Sequence, residues 1–368
     1  MSLQTLNMQN AELSTELVPK GSARSKAPVF VLGCPRSGTT LLYHMLLSAG
    51  NFAVYRAESH VFNVLEPRFG GLSLPSNRRR LLAAWRDTEL FRRTGLEWNE
   101  ISEEVMAKCR NGGDFLRIVM EAMARRQGVE RWADCTPEHL LYLDRIKRTI
   151  PDALVIHIIR DGRDVALSLE KQAWIRPFAW DRHKTLEVAA LYWEWMVRKG
   201  RRDGRDLGSD YLEVRYEDLV LAPQKILGEV GSFVGQELDY NSIERVGIGS
   251  VSKPNSSFLE EVKDGEFSPV CRWKTSLSPA RLEQLETLLG GTLSELGYSR
   301  EGSAEPSSMS SSASASSVSA SSASASSSRT SLGTMRFVYE SYFDLKLLLK
   351  KKAPLSNLLV SSDLPRFE

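Results

Sequence analysis

The chain has 368 residues, 42% of them apolar and 26% charged, a globular balance that excludes wholesale disorder and a fibrous repeat. Lys plus Arg number 48 against 46 Asp plus Glu, so the net charge of +2 creates no field that calls for nucleic acid, while a small polyanionic ligand stays compatible. Four cysteines lie far apart without a CxxC pair, which points away from a zinc ribbon or a disulfide scaffold and toward free thiols in a reducing compartment.

The first 27 residues are polar and aperiodic, lack the apolar core of a signal peptide, and read as a disordered leader, 1–27. No apolar run anywhere approaches the ~18 residues of a spanning helix. The expected location is therefore cytoplasmic. The folded body is expected over residues 28–300. Its first element, Val29-Phe30-Val31-Leu32, suits a buried parallel strand, and a Gly-rich turn follows at once. From Thr39 the residues Leu42, Met45, Leu46 and Ala49 fall at helical spacing, and Gly50-Asn51 closes that helix.

Residues 77–128, rich in Leu, Ala, Arg and Glu, read as helical. A second strand runs from Leu154 to Ile159 and is broken by Arg160-Asp161-Gly162, with helical spacing from Val165; a third spans Tyr211 to Tyr216. Strands separated by helices define an α/β fold, a parallel β-sheet flanked by helices on both faces. Of the 26 residues from Ser303 to Ser328, 16 are serine and six alanine, so 301–332 reads as a flexible linker. The segment 333–368 is a basic amphipathic tail in which Val338, Tyr342, Leu345 and Leu349 recur at helical spacing before Lys350-Lys351-Lys352 and Pro354. Such a tail either docks on its own domain or makes a peripheral membrane or partner contact.

The stretch Gly33-Cys34-Pro35-Arg36-Ser37-Gly38-Thr39-Thr40, between strand and helix, has the length of a P-loop, in which backbone N–H groups and a helix N-terminus cradle phosphate oxygens. Thr39 stands where the P-loop lysine would be. Splitting a γ-phosphate needs that cation and usually Mg²⁺, so the loop suits a different donor and no metal is expected. Arg36 supplies a guanidinium, and Ser37, Thr39 and Thr40 supply hydroxyls.

Pro35-Arg36-Ser37-Gly38-Thr39-Thr40 resembles the 5′-phosphosulfate loop of the sulfotransferases that use 3′-phosphoadenosine 5′-phosphosulfate (PAPS), particularly their Golgi-type and related bacterial branch. The resemblance implies a P-loop-like sulfotransferase fold in which these six residues hold the donor's sulfuryl end. The run from Ile158 to Ser168 resembles the family's 3′-phosphate motif, implying a role for Arg160 and Ser168. An arginine at a strand end and a hydroxyl on the next helix can converge on one phosphate; alternatively Arg160 forms a salt bridge with Asp161 or Asp164. Tyr216, in Val214-Arg215-Tyr216-Glu217-Asp218-Leu219, is similar to a tyrosine that touches the nucleotide. Arg272-Trp273 resembles a late basic-Trp pair that would set Arg272 near the 3′-phosphate. The likeness covers about residues 28–299.

Sulfuryl transfer to a hydroxyl requires in-line positioning, a base, and cations for the leaving charge. Glu58, in Arg56-Ala57-Glu58-Ser59-His60, occupies the place of the family's base, with His60 as the alternate and an ion pair to Arg56 as the structural reading. Arg36 is the expected donor clamp. The segment Trp132 to Glu138 departs from the family, which usually carries Lys immediately before the Thr-Pro pair where this chain has Cys135. Lys253 or Lys274 would then have to supply the cation, or activity is reduced.

The alternatives are a P-loop kinase or NTPase with Asp161 as its acid, and a catalytically weak sulfotransferase fold that binds nucleotide or a partner. The acceptor class, a small molecule or a glycan hydroxyl, is open. Residues 65–130, including Trp85, Phe91 and Trp98, are expected to shape its pocket.

Overall fold

The computed structural model describes residues 24–247, 269–300 and 322–351, with side chains of the last helix from Leu332 onward. Most of the leader 1–27, most of the linker 301–332, the end of the tail, and Lys253 lie outside the described residues. Residues 24–27 already pack on the body. Arg24 donates to the Phe233 carbonyl at 2.8 Å and to Asp210 at 3.1 Å, and Ala27 is buried.

Among the described residues the sheet is four-stranded and parallel, in the order β2 (Ala133–Asp134), β1 (Val29–Leu32), β3 (Leu154–Ile159), β4 (Tyr211–Arg215). Strand β1 (Val29–Leu32) runs into helix α1 (Thr39–Ser48). The helical stretch foreseen over 77–128 holds Pro75–Arg86, Glu89–Arg92, Trp98–Lys108 and α2 (Gly112–Gln127). Strand β2 (Ala133–Asp134) follows, then β3 (Leu154–Ile159), α3 (Gly162–Gln172), α4 (Thr185–Arg205) and β4 (Tyr211–Arg215). Helices α5 (Pro223–Val234), α6 (Trp273–Ser276) and α7 (Pro279–Glu295) precede the terminal α8 (Ser322–Lys351).

Because successive strand side chains point to opposite faces, β1 and β3 feed two separate cores. Phe30, Leu32, Val155 and Ile159 pack with α2, α4, α7 and α8, whereas Val29, Val31, Leu154, Ile156 and Ile158 pack with α1 and α5. Burial on both faces explains why these strands read as continuous apolar runs rather than alternating ones.

Helix α8 begins within 301–332, the span expected to be flexible. Its register also corrects the expected stripe: Met335, Tyr339, Phe343 and Leu347 are the buried residues, while Val338 and Leu345 face outward with Phe337 and Leu348. Phe343 packs on Tyr192 and Trp195 of α4 at 5.3 and 5.5 Å between ring centroids, and Tyr339 stacks on Phe178 at 4.9 Å. Trp195 donates to Asp344 at 3.1 Å, and Arg336 pairs with buried Glu194. Among the described residues no helix is long and apolar enough to cross a membrane.

Candidate active site

The β1–α1 turn is held tightly between β3 and Tyr216. Gly33 lies against β3 so closely that a Cβ there would sit 2.5 Å from the Ile158 carbonyl oxygen. Gly38 has φ +95°, and a Cβ on it would meet the Tyr216 ring at 2.3 Å, so glycine is required both by backbone conformation and by space. Arg36 also takes a left-handed conformation, φ +75°. Gly38 begins α1 without a side-chain cap, which leaves first-turn N–H groups pointing at the turn's concavity. Ser37 is 0% exposed, and its Oγ has no partner among the described atoms. A buried orphan hydroxyl beside an uncapped helix start fits a phosphate oxygen.

The second motif converges on the same turn. Arg160, at the end of β3, donates to the Arg36 carbonyl at 3.3 Å, to Asp164 at 3.2 Å and to the Pro269 carbonyl at 2.7 Å. Its buried Nε is unpartnered, and its guanidinium lies 4.5 Å from the centre of the Tyr216 ring. Arg36 Nε donates to Ser168 Oγ at 2.9 Å, which ties the loop to α3. Burial pushes the Tyr216 phenol up, while Arg160 and Arg272 pull against that shift, so Arg272 is within electrostatic reach of the cluster. The Asp164 pair foreseen as the structural alternative for Arg160 is thus formed, and it coexists with an unfilled donor.

Asp161, the acid of the kinase alternative, is instead locked in an ion pair with Arg163. Both its oxygens accept from Arg163, at 3.0 and 2.7 Å, and Arg163 stacks on Trp273 at 3.7 Å. Lys274 sits 5.5 Å over the same Trp273 ring and does not line the cavity that holds Cys135.

That cavity, about 630 Å³, lies beside the turn. Pro35 and Thr40 of the turn, Glu58, His60, Cys135 and Trp174 all line it. Glu58 reaches it because the chain reverses at His60 (φ +51°) and continues in a π-type turn, Val61–Leu65. The Glu58 side chain keeps 47% exposure, open to the water of the cavity yet ringed by protein. Enclosure, then the neighbouring Asp134 and Glu138 carboxylates, push its carboxyl up to about 8. The side chain that Glu58 meets is His60, at 3.2 Å, rather than Arg56.

His60 is pushed down to about 4 by burial and by His139, so it is neutral at pH 7. The Asn63 amide nitrogen lies 3.3 Å from His60 Nδ1 and 2.9 Å from Glu138 Oε2. An amide NH₂ only donates, so His60 Nδ1 accepts and the ring proton sits on Nε2, which lies 3.2 Å from Glu58 Oε2.

Sequence reasoning missed the frame that holds this return loop. His139 Nε2 accepts from the Phe62 N–H at 3.2 Å, which places its proton on Nδ1, facing Asp134 at 2.9 Å. Thr136 Oγ1 accepts from the Ser59 N–H at 2.9 Å and donates to Asp134 at 3.2 Å. Burial opposes the Asp134 charge, but His139, Ser59 and Thr136 hold the carboxyl below the usual range. Asp134→Asn keeps an acceptor for His139 while removing a charge near Glu58. It is expected to move the rising limb of the pH–rate profile to lower pH, and rate measurements from pH 6 to 10 check this.

Cys135 is buried, its thiol pushed well up by burial and by Glu58 and Asp134, with Thr39 hydrogen-bonded to it. His44 also lines the cavity. It lies one helical turn after Thr40, a spacing that could have exposed it from sequence. The aromatics expected to shape the pocket instead pack on each other, Trp85 on Phe91 at 5.0 Å and Phe91 on Trp98 at 5.3 Å. Their region contributes Glu89, Leu90 and Arg93 to the wall.

A parallel sheet flanked by helices, with a glycine turn and an arginine at its carboxyl edge, defines an α/β protein. The model of the sulfotransferase family matches residues 28–240, and the chain belongs to that family. It is similar to carbohydrate sulfotransferase 2 of mouse and human, 32% identical over 127 residues, which is 33% of this chain and 21% of those proteins. The chain thus matches about a fifth of the length of these curated relatives. Among solved structures it is similar to the sulfotransferase domain of the Synechococcus PCC 7002 olefin synthase, with 20% identity, a TM-score of 0.47, and 73% of this chain and 94% of that one covered. The sulfotransferase domain from the curacin biosynthetic pathway aligns with 14% identity and a TM-score of 0.46, over 74% of this chain and 98% of that domain.

Proposed function

We propose that this sulfotransferase moves a sulfuryl group from PAPS to an acceptor hydroxyl, with Glu58 as general base and no metal. The observation that carries the reading is that Glu58 opens into the same cavity as Pro35 and Thr40 of the phosphate turn. The acceptor oxygen attacks sulfur in line as the bond from sulfur to the bridging phosphate oxygen breaks, and the leaving product is 3′-phosphoadenosine 5′-phosphate. The hydroxyl proton passes to Glu58, beside which His60 stands at 3.2 Å. The uncapped start of α1 and the Ser37 hydroxyl meet the 5′ end. Arg160, Ser168, Tyr216 and Arg272 form the cluster for the nucleotide's 3′ side, and Arg36 bridges the two. Free thiols at Cys34, Cys109, Cys135 and Cys271 support a cytoplasmic setting. The outward apolar residues of α8 leave a membrane or partner contact of the tail open to a vesicle-binding assay.

The test is calorimetric titration of 3′-phosphoadenosine 5′-phosphate against ATP, with and without Mg²⁺. Binding of the bisphosphate without magnesium supports the reading, and magnesium-dependent preference for ATP overturns it. Cys135 favours a second reading, nucleotide binding without turnover, because a thiol cannot hold the leaving charge. Cys135→Lys places a cation beside Glu58 and Thr39. It is expected to raise kcat in a desulfation-coupled assay while leaving bisphosphate affinity nearly unchanged.

A further inference from the structure

A second cavity, about 270 Å³, lies between the body and α8 and shares Glu138 and Trp174 with the first as walls. Tyr192 and Trp195 of α4 and Tyr342 and Phe343 of α8 give it an aromatic lining. Its charged groups are Arg176, Lys346, Lys350 and Glu138, three cations against one carboxylate. That carboxylate is already engaged, by Asn63 at 2.9 Å and by Lys350 at 3.8 Å. Arg176 and Lys346 are left as the surplus charge. Burial and the adjacent Lys350 pull the Lys346 ammonium down, which an anion in the cavity would relieve.

The two cavities adjoin at Glu138 and Trp174. Trp174 is 55% exposed, walls both cavities, and lies 5.6 Å under the Arg36 guanidinium of the phosphate turn. Glu138 reaches the base through Asn63 and His60. A ligand spanning the junction would present one end near Glu58 and the other between α4 and α8. An apolar cavity of roughly 150 Å³ holds benzene, so the second cavity admits one ring or a short chain together with a small charged group.

We infer that the second cavity is the distal half of the acceptor site and that α8 makes it selective for a small hydroxylated acceptor carrying a carboxylate on an aromatic or short apolar frame. The assignment as acceptor site rests on the proposed sulfuryl transfer; the preference for an aromatic or short-chain anion rests on the cavity alone. Aromatic walls supply burial for the frame, and Arg176 with Lys346 supplies charge-assisted hydrogen bonds to the carboxylate.

The experiment uses the full chain and the probe 3-(4-hydroxyphenyl)propanoate beside its primary amide, titrated calorimetrically with and without saturating 3′-phosphoadenosine 5′-phosphate. The acid should bind about tenfold tighter than the amide, the effect of one charge-assisted contact. In Lys346→Met, which removes the ammonium but keeps an unbranched apolar side chain against the cavity, that preference should fall to about twofold with bisphosphate affinity unchanged. Leu347→Trp, which fills the cavity, should abolish binding of both probes, with its melting curve confirming a folded protein. Equal binding of acid and amide, no binding of either, or a preference that survives in both Lys346→Met and Arg176→Met overturns the inference. Failure of the bisphosphate to bind while the acid preference persists would remove the sulfuryl-donor reading and leave the cavity's ligand class standing.

Discussion

Replacing Glu58 with Gln should lower kcat by about 10²–10⁴-fold, the range for losing a positioned base, without weakening 3′-phosphoadenosine 5′-phosphate. Gln matches Glu in size, and the return loop is held by Thr136 and His139 rather than by Glu58, so the loop stays in place while the proton acceptor disappears. The wild-type kcat/KM should rise with pH toward a plateau above about 8, since only the ionised carboxylate can take the hydroxyl proton. In Glu58→Gln this limb should vanish.

Stability gives a second, independent readout with a definite sign. The folded carboxyl titrates near 8 against an ordinary 4.5, so between those values the folded chain holds a proton that the unfolded chain has released. Stability from this group therefore falls as pH rises across that window. The variant escapes this loss, so its melting temperature relative to wild type should climb from pH 4.5 to 8 and stay level above. A variant that loses activity with no such trend would place Glu58 outside the carboxylate-crowded pocket that makes it a base.

The same residues show what a sequence can carry. Strands β1 and β3 were legible because burial on both faces leaves unbroken apolar runs. The phosphate turn was legible because Gly33 and Gly38 are demanded by contacts with Ile158 and Tyr216 that no other residue tolerates. Strand β2 was not: two residues, Ala133 and Asp134, carry no periodicity, although they set Asp134 under the return loop. The frame of Asp134, Thr136 and His139 is short-range in sequence but acts on Ser59 and Phe62 some 77 positions away, a distance that spacing alone cannot cross. Helix α8 carries apolar residues on two faces. Its register was decided by the aromatic surface of Phe178, Tyr192 and Trp195 that it meets. A one-dimensional stripe contains no record of that partner.

Arg160 tests whether the second motif binds phosphate or only completes an ion pair, and two substitutions separate the roles. Among the described residues, Arg160→Met leaves the buried Asp164 carboxylate with the Trp273 N–H at 2.9 Å. Breaking a buried pair costs about 3–5 kcal/mol, roughly 10 °C in melting temperature for a domain of this size. Burial already pushes the Asp164 carboxyl up, and without Arg160 it should rise further, so part of the loss is recovered by protonation at low pH. Arg160→Lys keeps a cation for Asp164 but loses the planar fork that reaches the Arg36 and Pro269 carbonyls and offers Nε inward. The lysine variant should therefore stay closer to wild type in melting temperature while bisphosphate affinity drops about tenfold, a loss of about 1.5 kcal/mol. Were lysine to restore affinity as fully as stability, Arg160 would be the partner of Asp164 and nothing more. A gap between the two readouts assigns the free guanidinium edge to the donor's phosphate.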